Sequence, residues 1–375
     1  MDMDWETHAH RLAGHVVRPE SRWHGPLAST PRHLFVPRWW ARTDTGRQVR
    51  DGRDDPAAWM QAAYTDQTLV TRIGPLHADH ADLDTVLTTG RSTSSSTHPS
   101  LVVTMYRHAS LGENSQTLVT TGSGYGTALL CQRIGDHLVT SMDIDPYLVD
   151  AATERIASIG LFPRTAVADL TQPLPWTYDR IVSTVSVRRI PAAWLHALRP
   201  GGRLVTTISN TGLILIADKT ADGGAQGHIA YEGAAFMPVR HGADYEDDPA
   251  VAAVWEKAQG DGEEVSTSRY PLLYPPDAWD VWSMLELKVP GIQYRKTQDG
   301  NTRTVWLLHA DGSWARATTR GHLDSPTVHE SGPQYLWEAL DRVRNRLNRE
   351  GALCQAPGLM ETSKTRKDAD HGCSP

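Results

Sequence analysis

The feature that most constrains the fold is a regular alternation of apolar strands and helices between residues 117 and 209. Short runs rich in Val, Leu and Ile alternate with segments that carry apolar residues at helical spacing. Because parallel strands need a helical crossover, this alternation predicts an α/β fold with a mostly parallel, doubly wound sheet covered on both faces. The predicted strands are 117–120, 137–144, 164–168, 178–185 and 203–209, and the predicted helices are 127–134, 146–159 and 191–198.

A glycine-rich turn, Gly-Ser-Gly-Tyr-Gly at 122–126, separates the first strand from its helix. Glycines let the backbone approach a ligand closely, and the helix N-terminus offers free N–H donors. Asp143 ends the second strand, where a carboxylate can accept hydrogen bonds from both hydroxyls of a ribose. Asp169 ends the third strand and is placed to hold an adenine amine. The pattern predicts a nucleoside-type cofactor, and the plainer alternatives are a helix cap at Asp145 and a loop acid at Asp169.

Composition excludes several classes of protein. The chain has 37 Lys and Arg against 44 Asp and Glu, so the positive charge expected of a nucleic-acid-binding protein is missing. No run approaches the roughly 20 apolar residues that a membrane span needs, and the N-terminus is acidic where a signal peptide is basic. The 3 cysteines are far apart, which supports neither a disulfide framework nor a zinc cluster. We therefore expect a cytoplasmic protein with no metal and no nucleic-acid or membrane partner.

Two polar segments precede the alternating region. Residues 42–56 are rich in Arg and Asp and are predicted to form a solvated loop. Residues 92–100 are mostly Ser and Thr, a composition that is typical of a flexible linker. This run leads to Pro99, a preferred first helical residue, and an apolar helix follows. A hydroxyl-rich segment that feeds a helix start is therefore also a candidate site.

The sequence changes character after residue 216. Residues 218–286 hold 14 acids and 4 bases, which either keep the protein soluble or form a surface for a basic peptide. The Asp-Gly pair at 311–312 between two apolar runs predicts a hairpin, and Pro333 precedes an amphipathic helix. We divide the chain into an N-terminal helical and substrate-loop region (1–110), a Rossmann-like core (111–216), a smaller C-terminal α+β accessory domain (217–360) and a flexible tail (361–375).

A series of motifs within residues 20–210 resembles the protein-L-isoaspartate O-methyltransferase family. They are Phe-Val-Pro at 35–37, Ala-Tyr-Thr-Asp at 63–66, His-Pro at 98–99, Thr-Gly-Ser-Gly-Tyr at 121–125, Met-Asp-Ile-Asp-Pro at 142–146, Tyr-Asp-Arg-Ile-Val at 178–182, Ile-Pro at 190–191 and Leu-Arg-Pro-Gly-Gly-Arg-Leu-Val at 198–205. The resemblance implies a class I methyltransferase core, S-adenosylmethionine as cofactor, and methylation of a side-chain or isoaspartyl carboxylate. The cofactor residues that it implies are Thr121, Gly122, Ser123, Gly124, Tyr125, Asp143, Ile144 and Asp169.

The resemblance also implies an acceptor site in the hydroxyl-rich run. The family places a hydroxyl residue two positions before a proline at the substrate carboxylate, and Thr97 occupies that position here. The candidate catalytic residues are Thr97, Ser96 and Ser95, and the candidate substrate-binding residues are Asp66, Ser94 and His98. A carboxylate is already ionised at neutral pH, so it needs alignment and desolvation rather than a general base. His98 is accordingly expected to be structural or to face the substrate, and a turn or capping role at Asp66 is an equal alternative.

Two positions depart from the family pattern. Thr120 stands where the family has the first glycine of the turn, and Leu118 stands where it has an acid that steadies the cofactor's methionine end. The loss of that acid predicts weaker cofactor binding or an inactive site. Because Gly122, Gly124 and Asp143 are kept, we expect an active enzyme.

A second resemblance covers the C-terminal half. Motifs at 236–240, 311–315 and 332–337 are similar to those of actinobacterial methyltransferases found with ribosomal peptide pathways, above all graspetide (ATP-grasp) and lanthipeptide pathways. The resemblance implies a modified precursor peptide as substrate, with an aspartate that is methylated and then closes to aspartimide or isoaspartate. Many of the 13 Trp residues lie here and indicate either a peptide-binding surface or a packed core. The alternatives are repair of isoaspartyl proteins and an inactive module that binds cofactor and peptide.

Overall fold

The computed structural model describes residues 4–242, 244–245, 248–274, 277–321 and 324–351. The predicted tail at 361–375 lies outside the described residues. Within them, no helix combines the length and the apolar character that crossing a membrane would require.

The N-terminal region contains helices and a small antiparallel sheet. Its helices are α1 (Trp5–Val16), α2 (His24–Ser29), α3 (Pro56–Ala63) and α4 (Pro99–His108). Its strands are β1 (Arg38–Thr43), β2 (Gly46–Asp51), β3 (Leu69–Ile73), β4 (Leu76–His77), β5 (Val86–Leu87) and β6 (Ser92–Ser96). They pair in the order β4-β3-β1-β2-β5, and β6 pairs with β3 as well.

The prediction of a solvated loop at 42–56 is wrong for its first half. Residues 46–51 form β2, which pairs in register with β1. Val49 is buried beneath this hairpin, and the Arg38 side chain donates to Asp51 at 2.6 Å across it. Arg50 is the exposed side chain of β2, whereas Arg47 and Asp51 are half-buried on the same face as Val49. A polar sequence can therefore form a strand here, because its charged side chains find partners such as Arg38.

The central sheet confirms the Rossmann-like core. Its strands are β7 (Thr117–Thr120), β8 (Val139–Asp143), β9 (Arg164–Val167), β10 (Tyr178–Val187), β11 (Leu198–Ile208), β12 (Leu213–Lys219) and β13 (Ala225–Gly233). Their order is β13-β12-β11-β10-β7-β8-β9, and β7 to β11 are parallel. Helices α5 (Tyr125–Ile134), α6 (Pro146–Ala157) and α7 (Ala192–Ala197) connect them. Apolar clusters fill both faces, as a doubly wound sheet requires.

The sheet continues past the domain boundary that we placed at residue 216. That residue lies inside β12, and β12 and β13 extend the sheet antiparallel beyond β11. The change in net charge near residue 216 therefore does not mark a domain boundary. Surface charge depends on exposed side chains, whereas strand pairing depends on backbone hydrogen bonds and buried side chains.

The C-terminal region is a second α+β unit. Its helices are α8 (Pro249–Lys257), α9 (Trp279–Lys288) and α10 (Leu336–Glu350), and its strands are β14 (Glu264–Thr267), β15 (Gln293–Asp299), β16 (Thr302–Leu308), β17 (Trp314–Thr319) and β18 (Thr327–Ser331). They form an antiparallel sheet in the order β14-β18-β17-β16-β15. The predicted hairpin is confirmed, with Gly312 at φ +99° in its turn. Trp306, Trp314 and Trp337 are buried, which favours the packed-core alternative for these three.

Candidate functional site

The strand order reverses between β7 and β10. From β7 the chain runs outward through β8 and β9, and it then returns to β10 on the other side of β7. Ligands of doubly wound sheets bind in the crevice at the carboxyl ends of the strands where the order reverses. At this point Thr120 of β7 and Thr184 of β10 lie side by side, with 2.6 Å between their hydroxyl oxygens.

A cavity opens at this crevice, with about 970 Å³ of space free of protein atoms including its mouth. One wall comes from the ends of the central strands, a second from the hydroxyl-rich segment, and a third from a segment beyond β13. The lining residues are Thr68, Thr93, Ser94, Ser95, Thr97, His98, Leu101, Thr120, Gly122, Met142, Asp143, Ile144, Leu148, Ala168, Asp169, Leu170, Thr184, Val185, Ala235, Phe236, Met237, Pro238, Val239, Arg240 and Tyr245.

The glycine-rich turn forms part of the first wall, and two of its glycines have positive φ. Gly122, at φ +51°, lines the cavity. Gly124, at φ +87°, does not; a Cβ there would lie 2.8 Å from the Cβ of Ala152 in α6. Gly124 is therefore required by the close approach of α5 and α6, while Gly122 presents backbone to the cavity.

Asp143 lies beside the turn, at the end of β8. One carboxylate oxygen accepts a hydrogen bond from Gly122 N and the other from Asp145 N, both at 3.2 Å. Each oxygen has two lone pairs, so the carboxylate keeps acceptor capacity toward the cavity that it lines. Burial raises the pKa of Asp143 above its usual value, and the two amides act in the opposite direction. The arrangement suits a pair of hydroxyl donors.

Asp169 lies at the far end of the same wall. Its Oδ1 accepts from Thr171 N at 2.8 Å and from Thr171 Oγ1 at 2.7 Å, and its Oδ2 lies 3.3 Å from His241 Nδ1. Burial acts to raise the pKa of Asp169, but these hydrogen bonds outweigh it and the pKa falls below the ordinary value. Asp169 is thus an ionised acceptor at the cavity edge.

The hydroxyl-rich run is a strand, not a linker. Residues 92–96 form β6 against β3, and Ser94, Ser95 and Thr97 line the cavity. Ser94 accepts a hydrogen bond from Thr71 at 3.1 Å. Ser96, between two lining residues, is buried outside the lining, and its hydroxyl has no hydrogen-bond partner. Ser96 therefore lies behind the wall to which Ser95 and Thr97 contribute.

His98 and Asp66 lie beside this strand. The His98 Nδ1 is 3.1 Å from the Thr68 hydroxyl, and both residues line the cavity. Burial lowers the pKa of His98, so its ring is neutral at pH 7. Asp66 does not line the cavity; its Oδ1 accepts from Ser100 N at 2.9 Å and so caps the first turn of α4. This geometry matches the capping alternative for Asp66.

Three further candidates on the turn side lie behind the wall. Thr121 bonds Ser141 at 2.8 Å in the core, and the Ser123 hydroxyl accepts from Tyr125 N at 3.4 Å. The Tyr125 ring is buried against Phe35 at 6.0 Å between centroids. These side chains shape the turn rather than the cavity surface, whereas the candidate Ile144 does line the cavity.

The third wall was missed as part of the site. We call residues 235–242 the strap. It crosses the end of β10, where Ser186 N donates to Met237 O at 2.8 Å and Val239 N donates to Ser186 O at 2.9 Å. Arg240 then reaches Asp145, which also pairs with Arg72. The motif at 236–240 is a sequence signal for this segment. Its residue types do not indicate that the segment contacts the cofactor side of the cavity.

The departure at residue 118 has a structural explanation. Leu118 is fully buried in the apolar cluster beneath the sheet, beside Met142 and Trp194. Among the described residues, the carboxylates that line the cavity are those of Asp143 and Asp169. The central strand therefore contributes the Thr120 hydroxyl, and not a carboxylate, to this part of the cavity.

Together these observations define a class: a Rossmann-like α/β protein with a nucleoside-type cofactor site at its topological switch point. The family model described as protein-L-isoaspartate(D-aspartate) O-methyltransferase matches residues 55–243, about half of the chain. The chain belongs to this family. Its members are methyltransferases that use S-adenosylmethionine, and the acceptor capacity of Asp143 beside apolar Met142, Ile144, Leu148 and Leu170 fits that donor.

Curated relatives carry the same name. The chain is 29% identical over 169 residues to the protein-L-isoaspartate O-methyltransferase of Methanopyrus kandleri, which covers 43% of this chain and 74% of that one. It is 34% identical to the Ignicoccus hospitalis protein and 38% identical to the Azorhizobium caulinodans protein, in each case over 29% of this chain. The chain spans about half the length of these last two relatives, 54% and 52%.

Two solved structures align with the chain at low identity. A protein-L-isoaspartate O-methyltransferase structure aligns over 92% of both chains with 16% identity and a TM-score of 0.47. A Plasmodium falciparum protein of this type, in complex with S-adenosyl-L-homocysteine, covers 63% of this chain and 97% of its own, with 12% identity and a TM-score of 0.43.

Proposed function

We propose that the protein is an S-adenosylmethionine-dependent O-methyltransferase that acts on an aspartyl or isoaspartyl carboxylate of a polypeptide. The observation that carries the proposal is that one cavity joins the strand-end wall, with Gly122, Asp143 and Asp169, to the hydroxyl wall with Ser95 and Thr97. A cofactor held on one wall and an acceptor on the other would meet inside it.

The strand-end wall is the cofactor side. Asp143 would accept hydrogen bonds from the ribose hydroxyls, Ile144 would pack against the adenine, and Asp169 would accept from the adenine amine. Gly122 leaves room for the methionine part to pass the turn. Bound S-adenosylmethionine would supply a methyl group on a positively charged sulfur, which the carboxylate oxygen would take while the C–S electron pair stays on sulfur.

The hydroxyl wall is the acceptor side. The Thr97 and Ser95 hydroxyls donate to the substrate carboxylate and hold the oxygen that is not methylated, with Ser94 and Thr68 close by. The lowered pKa keeps His98 neutral, so its ring can donate one N–H to the carboxylate and is not needed as a base. The acceptor is ionised at pH 7 and needs orientation and exclusion of water more than a base. This explains why no nucleophile–base pair is needed beside Thr97.

We further propose that the natural substrate is an aspartate of a ribosomally made, crosslinked peptide, such as a graspetide. A carboxylate is anionic and would have to expel oxide, whereas its methyl ester is neutral. The following backbone nitrogen can therefore attack the ester carbonyl, the C–OCH₃ bond breaks, and the departing methoxide takes the amide proton and leaves as methanol. The product is an aspartimide, which water opens to isoaspartate. A crosslinked loop would present one aspartate in a fixed geometry and lower the entropy cost of binding.

The C-terminal unit supports this finer proposal. It lies almost wholly outside the part matched by the family model, so it is an addition to the shared catalytic core. A groove between β14 and α10 is lined by more acids than bases, with Glu264, Glu330, Glu338 and Asp341 against Arg269 and Arg342. Such a groove suits a basic segment of a precursor peptide.

Repair of isoaspartyl residues in damaged proteins is the second candidate. It is favoured by the family match and by the curated relatives, which share that name. The two candidates share the donor and the chemistry and differ in the acceptor that the cavity admits.

Two acceptors and a methyl-labelled donor separate these candidates. Under the tailoring proposal, a cyclised aspartyl peptide is labelled and a linear isoaspartyl peptide is labelled at least ten times more slowly. The reverse ranking would establish repair. Calorimetry with S-adenosylhomocysteine tests the inactive-module alternative: cofactor binding without labelling of either acceptor would leave only a binding function.

A further inference from the structure

Arg32 is a fully buried guanidinium behind the acceptor wall. It begins the short 3₁₀ helix at 32–35, directly after Pro31, and none of its surface is accessible to solvent. Among the described residues it forms no ion pair within 4.0 Å. The Asp66 carboxylate lies near enough to favour the charge on Arg32 but does not pair with it directly. A buried cation without a direct ion pair is costly unless other polar groups hold it.

The hydrogen bonds of its guanidinium all go to backbone carbonyls, which come from two separate segments. The first segment, 63–67, leads into Thr68; the second, 96–97, ends the hydroxyl-rich run. Nη1 donates to Ala63 O at 2.9 Å and Thr65 O at 3.0 Å, and Nη2 donates to Gln67 O at 2.7 Å, Ser96 O at 3.2 Å and Thr97 O at 3.3 Å.

A third part of the site meets the same side chain. The guanidinium carbon lies 5.4 Å from the centre of the Tyr125 ring, the first residue of α5 after the glycine-rich turn. One planar group therefore touches the segment before Thr68, the backbone of Thr97 and the end of the cofactor turn. A guanidinium suits this task because its donors form a rigid fork, whereas an ammonium is a point charge with three donors.

We propose that Arg32 is a positioning residue for methyl transfer, fixing the acceptor wall relative to the cofactor turn. The proposal rests on the function proposed above, because it assumes that Thr97 and Thr68 face the acceptor. Arg32 itself does not line the cavity. It acts through the backbone. Its bond to Thr97 O holds the residue just after β6 whose hydroxyl faces the cavity, and its bond to Gln67 O holds the loop whose Thr68 contacts His98.

The alternative is that Arg32 only stabilises the fold. Arg32→Lys keeps the charge and removes the fork. Arg180→Lys is a matched control, since Arg180 also donates to carbonyls, at Ala109, Ser110 and Asp179, near the opposite end of the central strands. The measurements are the Kd for S-adenosylhomocysteine, kcat/KM for the acceptor that the wild type methylates, and hydrogen exchange of segments 63–68 and 93–98.

For Arg32→Lys we expect a Kd within about threefold of wild type and a kcat/KM for the acceptor lower by about 10- to 100-fold, since displacements near 1 Å cost this much. Exchange should quicken in both acceptor segments but not in 117–120. Arg180→Lys should change none of these. Equal losses in the two variants, or cofactor binding that falls as far as kcat/KM, would overturn the positioning role. If the wild type methylates no acceptor, the proposed function fails. The role of Arg32 is refuted separately if hydrogen exchange in segments 63–68 and 93–98 is the same in Arg32→Lys as in the wild type.

Discussion

The two principal walls of the cavity are built in different ways. The strand-end wall comes from 120–185, where each turn follows its own strand, and its shape depends on local chain geometry and on the parallel pairing of β7, β8 and β10. The hydroxyl wall comes from 68–98, which belongs to a separate antiparallel sheet, and it is held in place by contacts to distant residues such as Arg32.

This difference teaches where specificity can change. The strand-end wall is part of the central sheet, so altering its backbone would disturb the core that β7 and β8 share with α5 and α6. The hydroxyl wall and the strap lie on top of that sheet and can vary without rebuilding it. We infer that the cofactor side is the constant part of the site and that the acceptor side carries the substrate preference.

The largest effect is expected on the cofactor wall. Asp143→Asn removes the charge that would accept the ribose hydroxyls, and hydrogen bonds to charged groups are worth about 1.5–3 kcal/mol. We therefore expect the Kd for S-adenosylhomocysteine to rise by about 10- to 100-fold in isothermal calorimetry. Asp150→Asn, on the exposed face of α6, is the control and should change nothing. If the two variants bind S-adenosylhomocysteine with equal affinity, Asp143 does not contact the cofactor.

On the acceptor wall, substitutions should lower the methylation rate and leave cofactor affinity unchanged. Thr97→Val keeps the shape of the side chain and removes its donor, so kcat for the acceptor should fall by about tenfold, the loss of one hydrogen bond of about 1.4 kcal/mol, while cofactor affinity stays the same. Thr97→Ser keeps the donor and should retain most activity. Steady-state kinetics with labelled donor checks both. A Thr97→Val enzyme with wild-type kcat would show that the hydroxyl does not hold the acceptor.

The same contrast explains what could be predicted from sequence. The hydrophobic periodicity of residues 117–209 predicted β7 to β11, because the pattern of each strand and helix is contained in its own short stretch of sequence. Gly122, Asp143 and Asp169 followed, since the ends of parallel strands meet at one edge. Leu118 illustrates the limit: the sequence shows that an acid is missing, and only the structure shows that its position is packed among Met142 and Trp194.

The other walls depend on contacts between distant residues. Ser96 was grouped with Ser95 and Thr97 by proximity, but pairing with β3 turned it away. The strap lies more than 130 residues after the hydroxyl wall, and its place depends on Ser186 and Asp145. Sequence periodicity cannot predict these contacts, because each one joins two distant residues once and leaves no repeating pattern in the sequence.

A smaller effect is expected at the strap. Arg240→Ala leaves Asp145 paired with Arg72 but removes the ion pair that joins the strap to Asp145 at the start of α6. Arg240 lines the cavity, and losing its charged hydrogen bond to Asp145 should weaken S-adenosylhomocysteine binding by about 3- to 10-fold. Arg199→Ala, which breaks a partly exposed ion pair with Asp179 away from the cavity, is the control. Calorimetry that finds Arg240→Ala as tight as Arg199→Ala would mean that the strap does not restrain the bound cofactor.

The smallest effect on the cavity should come from the C-terminal unit, where pH acts on stability and not on the site. Burial, together with the nearby Glu338 and Asp341, raises the pKa of Glu330 to about 7. A carboxyl whose pKa is raised on folding adds stability below its unfolded pKa, near 4.5, and loses it as pH rises through 7. Glu330→Gln keeps the acceptor for Trp337 N and abolishes this titration. We expect a Tm gain of about 2 °C at pH 8, none at pH 4, below the unfolded pKa, and an unchanged cofactor Kd at both. A gain of equal size at the two pH values would assign the effect to packing, and a shifted Kd would show that the C-terminal unit is coupled to the cofactor wall.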